Sequence, residues 1–162
     1  MHIALLIIDV QKAFLNDRKG TKVFDDTMAY INATSALFRK SNHPVYIIRD
    51  IEEGDGEDYL NVSELIVTPE DKEVLKVNNN SFWKTDLEKQ LKDKQIEAVV
   101  LCGNAYEHCV TATYFGAKER GFKPLMLQHG IFADHTESLI DIYQNRPLIS
   151  YTALSFMLQK DK

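Results

Sequence analysis

The chain is poor in the residues that would place it in several large classes of protein. It has two cysteines, Cys102 and Cys109, in 162 residues. They lie seven apart within an apolar stretch, which is neither a redox-motif nor a zinc-knuckle spacing, and two thiols cannot build the disulfide framework of a small secreted domain. That usage fits a reducing cytoplasm, where we expect the protein to act. No dense Lys/Arg cluster is present and the formal charge is -5, so a phosphate-tracking surface for nucleic acid is not expected. No hydrophobic run is long enough to span a bilayer. The apolar stretch at residues 3–8 is too short for that and lacks the basic flank and cleavage site of a secretory leader, so it reads as a buried strand and no membrane partner is expected. With four prolines and seven glycines, the chain shows no linker, repeat or low-complexity tract. One domain over residues 1–162 is expected, with a small molecule or a second copy of the chain as its partner.

What is present is an alternation of strand and helix signals. Residues 3–8, 45–48 and 98–102 are short and almost wholly apolar, the mark of strands covered on both faces. Residues 125–127 and 148–150 are later candidates of the same kind, and 73–77 a weaker one. Between them, Phe24, Met28, Ile31 and Phe38 share one helix face, opened by Asp25 and Asp26 and closed by Arg39 and Lys40, which suits the helix dipole. Thr85-x-x-Glu88 has the form of a capping box ahead of Leu87 and Leu91. A third helix is predicted over residues 109–120 with Gly121 as its C-terminal cap, and a fourth over 136–145, halted by Pro147. Such alternation predicts an α/β fold, a doubly wound, Rossmann-like open parallel sheet with helices on both faces, its chemistry at the carboxyl ends of the strands.

Three ionisable groups fall at or just beyond those ends: Asp9, Lys76 and Cys109. A cysteine at a helix N-terminus beside a cation is expected to have a lowered pKa and an enlarged thiolate fraction. A neighbouring carboxylate can take the thiol proton and return it to a leaving amine. Each residue also has a plainer reading: Asp9 as a cap, Lys76 as a solvated lysine, Cys109 as a small core residue.

The surrounding segments choose between these readings. Asp9-Val10-Gln11-Lys12-Ala13-Phe14 resembles the D-x-Q-x-x-F opening of the isochorismatase-like cysteine hydrolases, the superfamily of nicotinamidases and N-carbamoyl amide hydrolases. Lys76 followed by Asn80-Ser81-Phe82-x-x-Thr85-x-Leu87 is similar to its K-x-x-x-S-A-F-x-x-T-x-L segment, with Asn and Ser replacing Ser and Ala. Gly103-Asn104-Ala105-Tyr106-Glu107-His108-Cys109-Val110 resembles its G-x-x-T-x-x-C-V nucleophile segment. The blocks come in the family's order, and the similarity covers nearly the whole chain. The resemblance implies a triad of Asp9 as general base and acid, Lys76 as orienting cation and Cys109 as nucleophile. It also implies a cis peptide between Asn104 and Ala105, an oxyanion hole built from the Ala105 and Cys109 amides, and hydrolysis of a C–N bond in a small amide or carbamoyl compound through a thioester.

The departures from the pattern carry expectations too. Tyr106 stands where the family commonly has Thr, and with Phe14 and His108 it is expected to line the substrate pocket; Trp83 is a weaker candidate. His129, where many relatives have aspartate, reads as a loop histidine. Nicotinamidase-like relatives hold a metal through an Asp-x-His pair, but here that place is Arg49-Asp50-Ile51-Glu52, without imidazole, so no metal and no other cofactor is expected. The acidic run over residues 50–58 is read as a solvated loop. Two rival functions stand beside C–N hydrolysis: ether cleavage of the isochorismatase type, and a non-catalytic α/β binding or regulatory domain. The relatives also suggest a homo-oligomer, a dimer or tetramer, to which the apolar tail at 154–158 contributes unless it docks as a helix on its own sheet.

Overall fold

The computed structural model of the protein describes residues 2–158. Its strands are β1 (Ile3–Ile8), β2 (Val45–Asp50), β3 (Lys72–Lys76), β4 (Ala98–Gly103), β5 (Lys123–Ile131) and β6 (Leu148–Ile149). Its helices are α1 (Lys12–Leu15), α2 (Lys22–Lys40), α3 (Leu87–Asp93), α4 (Thr111–Glu119), α5 (Thr136–Asn145) and α6 (Tyr151–Leu158). The strands form one sheet in the order β3-β2-β1-β4-β5-β6, every neighbour parallel.

Alternation along β1 divides the core in two. Ile3, Leu5 and Ile7 face a layer that holds Phe24, Met28 and Phe38 of α2 and Leu154 and Leu158 of α6. Ala4, Leu6 and Ile8 face Leu87 and Leu91 of α3, Tyr114 of α4 and Ile142 of α5. A strand apolar at every position is therefore required, and each buried Ile or Leu contributes about 1.5–3 kcal/mol. Leu154 and Leu158 are buried in the chain's own core, so the tail docks as a helix.

Two local expectations are corrected. Thr85 and Glu88 do not form a capping box: the Thr85 hydroxyl donates to the Ser81 carbonyl (2.6 Å), while the Glu88 carboxylate accepts from Lys92 (2.5 Å) and Arg120 (3.0 Å). The Thr85 hydroxyl turns back to the preceding turn and accepts only the Leu87 amide, weakly (3.4 Å), while Glu88 is taken by the two cations. The third helical run begins three residues early, as a π-helical turn over Tyr106–Val110 that leads into α4. The Val110 amide reaches back five residues to the Ala105 carbonyl (3.2 Å), which places Cys109 inside the first turn.

β1 and β4 are the two central strands, and from them the chain winds outward in opposite directions. The crevice beyond their carboxyl ends is the topological switch point, where ligands bind in sheets of this kind. Ile8 pairs with Gly103, and the Asn104 amide donates to the Ile8 carbonyl (2.8 Å), so the residues following each strand meet. Gly103 makes that approach possible. Its φ is +108°, and a β-carbon there would lie 2.1 Å from the Ile8 carbonyl oxygen. Gly103→Ala is expected to destabilise the protein by about 2–4 kcal/mol through backbone strain and overpacking, measured by chemical denaturation. A variant as stable as the wild type contradicts the tight β1–β4 contact.

Candidate active site

The ends of three strands and one helical turn bring four polar side chains together. Lys76, the last residue of β3, is 2% exposed. Its ammonium donates to Asp9 Oδ2 (3.0 Å), Asp50 Oδ2 (2.8 Å) and Cys109 Sγ (3.4 Å), so its three donors have three acceptors. Asp9 follows β1 with φ +51°, in the left-handed region that aspartate tolerates, and is 2% exposed with Oδ1 buried without an N–H or O–H donor. The second carboxylate, Asp50, escaped sequence reading because it stands at the head of a run of acids. In the fold it ends β2, is 8% exposed and also accepts the Glu52 amide (2.9 Å).

Other motif residues hold these groups in place. Gln11 is fully buried and links β1 to β2: its amide nitrogen donates to the Asp50 and Tyr59 carbonyls (2.8 and 2.7 Å), and its oxygen accepts the Asp50 amide (2.7 Å). Ser81 and Thr113 share a 2.7 Å hydroxyl contact that ties the loop after β3 to α4. The acidic loop is tethered at several points, with Asp55 on Arg49 (2.7 Å) and Glu57 on Lys12, while the Arg49 guanidinium also donates to the Tyr59 carbonyl (3.0 Å). The expectation of a solvated run therefore fails at Asp50, which is buried, while Asp55 stays exposed on its tether.

Above these groups lies a cavity of about 310 Å³, the lower end of the range for small-molecule sites. Asp9, Cys109, Ala105, Phe14 and His108 line it. Phe14 stands edge-on to Tyr59 (6.4 Å), and His108 contacts Asp134 (3.0 Å) at the rim. Tyr106 is turned away: it is 5% exposed, packs in the core on the α4 side, and its hydroxyl bonds to Asp141 of α5. Placement in the first turn after Ala105 directs it between helices rather than toward the cavity. Trp83 is 52% exposed and does not line the cavity either. His129 is exposed and lies against Tyr30 (5.0 Å), away from Cys109. Asn79, not singled out in the sequence, lines the cavity with its Oδ1 3.6 Å from Cys109 Sγ.

The Asn104–Ala105 peptide is cis, and the Ala105 N–H has no acceptor among the described residues. Ligand-type atoms of Asp9, Asp50 and Cys109 lie within 4.8 Å of one another. The Lys76 ammonium already bonds to all three residues, so a metal cation there would meet a resident positive charge; the arrangement fits a lysine, not a metal.

Residues 3–138 match the isochorismatase domain family model. The chain belongs to the isochorismatase family of hydrolases. It is 28% identical over 163 residues to the isochorismatase family protein YecD of Escherichia coli O157:H7, covering 86% of this chain and 87% of that one. Among solved structures it resembles an N-carbamoylsarcosine amidase from Thermoplasma acidophilum (TM-score 0.81, 19% identity, 93% and 95% covered). It also resembles a pyrazinamidase of Pyrococcus horikoshii in complex with zinc (TM-score 0.81, 19% identity, 93% and 100% covered). At those identities the likeness to the two structures is one of fold.

The charges of this isochorismatase-family site differ from the sequence expectation in one respect. Burial pushes the Cys109 thiol up to about 12, and the Asp9 charge adds to the effect, while Lys76 only partly opposes it. At rest Cys109 is a thiol, because loss of water outweighs the helix terminus and the cation. Burial also raises Asp9 to about 6, against the attraction of Lys76. Burial disfavours the Lys76 ammonium as well, but the Asp9 charge, the charge of Cys109 once it ionises and the bonds to Asp50 and Asp9 outweigh it, and its pKa is raised. At neutral pH Asp9 is thus chiefly a carboxylate facing a thiol, a base and its proton donor. Labelling of Cys109 by iodoacetamide is expected to fall about tenfold per pH unit below about 6, as Asp9 protonates and can no longer take the thiol proton. Because the Asp50 charge raises the Asp9 pKa, Asp50→Asn shifts that limb to lower pH, and Asp9→Asn abolishes it. A profile identical in all three proteins contradicts the assignment.

Proposed function

We propose that the protein is a cysteine hydrolase that cleaves a C–N bond in a small amide or carbamoyl compound. The observation that carries this reading is the Lys76 ammonium bonded to both Asp9 and Cys109 at the wall of one cavity. It supports reading Asp9 as the base, Lys76 as its orienting cation and Cys109 as the nucleophile, within reach of one reacting carbon.

The Cys109 thiol gives its proton to Asp9 as sulfur adds to the carbonyl carbon, forming the C–S bond and a tetrahedral oxyanion. The Ala105 and Cys109 amides receive that oxyanion, each such donor typically contributing about 3 kcal/mol to the transition state. The C–N bond then breaks, and its nitrogen takes the proton from Asp9 and leaves as ammonia or an amine. Water next loses a proton to Asp9 and adds to the thioester carbon. The C–S bond breaks, the acid departs, and Asp9 returns the proton to sulfur. Lys76 keeps Asp9 oriented and balances charge throughout, and no metal is needed. The Thermoplasma relative, an N-carbamoylsarcosine amidase, supports a C–N bond as the target.

The same reading includes a homo-oligomer, a dimer or tetramer, supported by the exposed apolar side chains Val23, Ile140 and Phe156. Light scattering is expected to give a multiple of the protomer mass; a monomer removes this part alone. Ammonia release from a panel of small amides is expected from the wild type, with Cys109→Ala and Asp9→Asn at least about a thousandfold slower. Full turnover by Cys109→Ala contradicts the thioester route, and cleavage of isochorismate in place of any amide favours the ether hydrolase.

A further inference from the structure

The cavity over Cys109 is rich in carboxylates, and no uncommitted cation lines it among the described residues. Five carboxylates line it: Asp9 and Asp50 at its floor, Glu52 and Glu53 at its mouth and Asp134 on its rim. The cations close to it are committed. Lys76 lies beneath, bonded to Asp9, Asp50 and Cys109. Arg18 donates to Asp134 (2.7 Å) and to the Ala133 carbonyl (3.0 Å), and His108 contacts the other oxygen of Asp134 (3.0 Å). Glu53 accepts only the neutral Tyr59 hydroxyl (3.1 Å), and the Glu52 carboxylate has no partner among the described residues.

A second observation, independent of the acidic mouth, points to a ligand. Asp9 Oδ1 and Asn104 Oδ1 are buried without an N–H or O–H donor, and both residues line the cavity. Acceptors withdrawn from water without a donor are costly, and an incoming N–H satisfies them. Floor and mouth therefore ask for the same partner, one with several N–H groups and positive charge.

We infer that the cavity selects a substrate whose amide or carbamoyl group is carried on a cationic body, an ammonium or guanidinium, with Glu52 and Glu53 as the residues that read the charge. This rests on the hydrolytic reading of the same cavity. The reacting amide meets Asp9 and Asn104, while the cationic end reaches the mouth. A carboxylate-bearing substrate is repelled there, since like charges in a concave, partly desolvated site act more strongly than in open water.

Two measurements test the inference, one of them independent of turnover. Cys109 is labelled with 2-aminoethyl methanethiosulfonate, a cation, and with 2-sulfonatoethyl methanethiosulfonate, an anion, each rate normalised to 2-mercaptoethanol. Cys102 is fully buried, and Cys109→Ala supplies the blank. The cation is expected to be favoured by about tenfold or more, the preference falling toward parity in the Glu52→Gln/Glu53→Gln protein. Parity in the wild type, or a preference untouched by the double substitution, overturns the inference. In the second measurement, kcat/KM for ammonia release is compared across 3-aminopropionamide, propionamide and succinamate. The cationic amide is expected to lead the neutral one by about tenfold, chiefly through KM, with succinamate last. Hydrolysis led by succinamate overturns charge selection and leaves the hydrolytic reading standing. No ammonia from any amide sinks the hydrolytic reading, while the labelling ratio still upholds or overturns the selection of charge.

Discussion

A single ammonium, that of Lys76, is held out of water at the end of the edge strand β3, and the rest of the site is arranged around that fact. Burying a cation is tolerable only if its donors are answered, and breaking such a buried pairing typically costs about 3–5 kcal/mol. The acceptors come from the end of β1 (Asp9), the end of β2 (Asp50) and the helical turn after β4 (Cys109). Each arrives only if the strands are parallel, in register and in the observed order. Catalytic geometry and folding therefore share one constraint, and the groups that would do the chemistry are also the groups that lock three strand ends together.

Around this centre, uncharged groups do the positioning. Gln11 meets the backbone on both sides of Asp50 and fixes the end of β2 against β1. Gly103 lets the chain after β4 press against Ile8, and the Ser81–Thr113 contact holds the loop after β3. Cys109 stays protonated in the same desolvated surroundings, since burial raises both Cys109 and Asp9. In the proposed mechanism thiolate forms by transfer to a carboxylate at hand, rather than standing ready for any electrophile in solution.

The framework was legible in the sequence because it depends on composition over short windows. Residues 3–8 and 98–102 read as doubly covered strands, and Phe24, Met28, Ile31 and Phe38 as the buried face of α2, because burial on a regular element leaves a periodic trace. The spacing of the motif blocks likewise pointed to Asp9, Lys76 and Cys109 as neighbours. Asp50 left no such trace: beside Glu52, Glu53 and Asp55 it has the look of a solvated acid, and only the pairing of β2 with β3 sets it opposite Lys76. Tyr106 misled for a related reason. Its place three residues before Cys109 says that it is near that thiol but not which way the π-helical turn points it.

The sequence by itself determined the alternation of strands and helices and the family, and it singled out Cys109 as the candidate nucleophile, because these follow from local patterning and from motifs short enough to read along the chain. Only the tertiary structure decided the protonation of Cys109, the second carboxylate on Lys76, the withdrawal of Tyr106 and the carboxylate-rich lining of the cavity. Desolvation and charge pairing depend on what lies within a few ångströms in space, and residues as far apart as Asp9, Asp50, Lys76 and Cys109 become neighbours only when the sheet has closed around them.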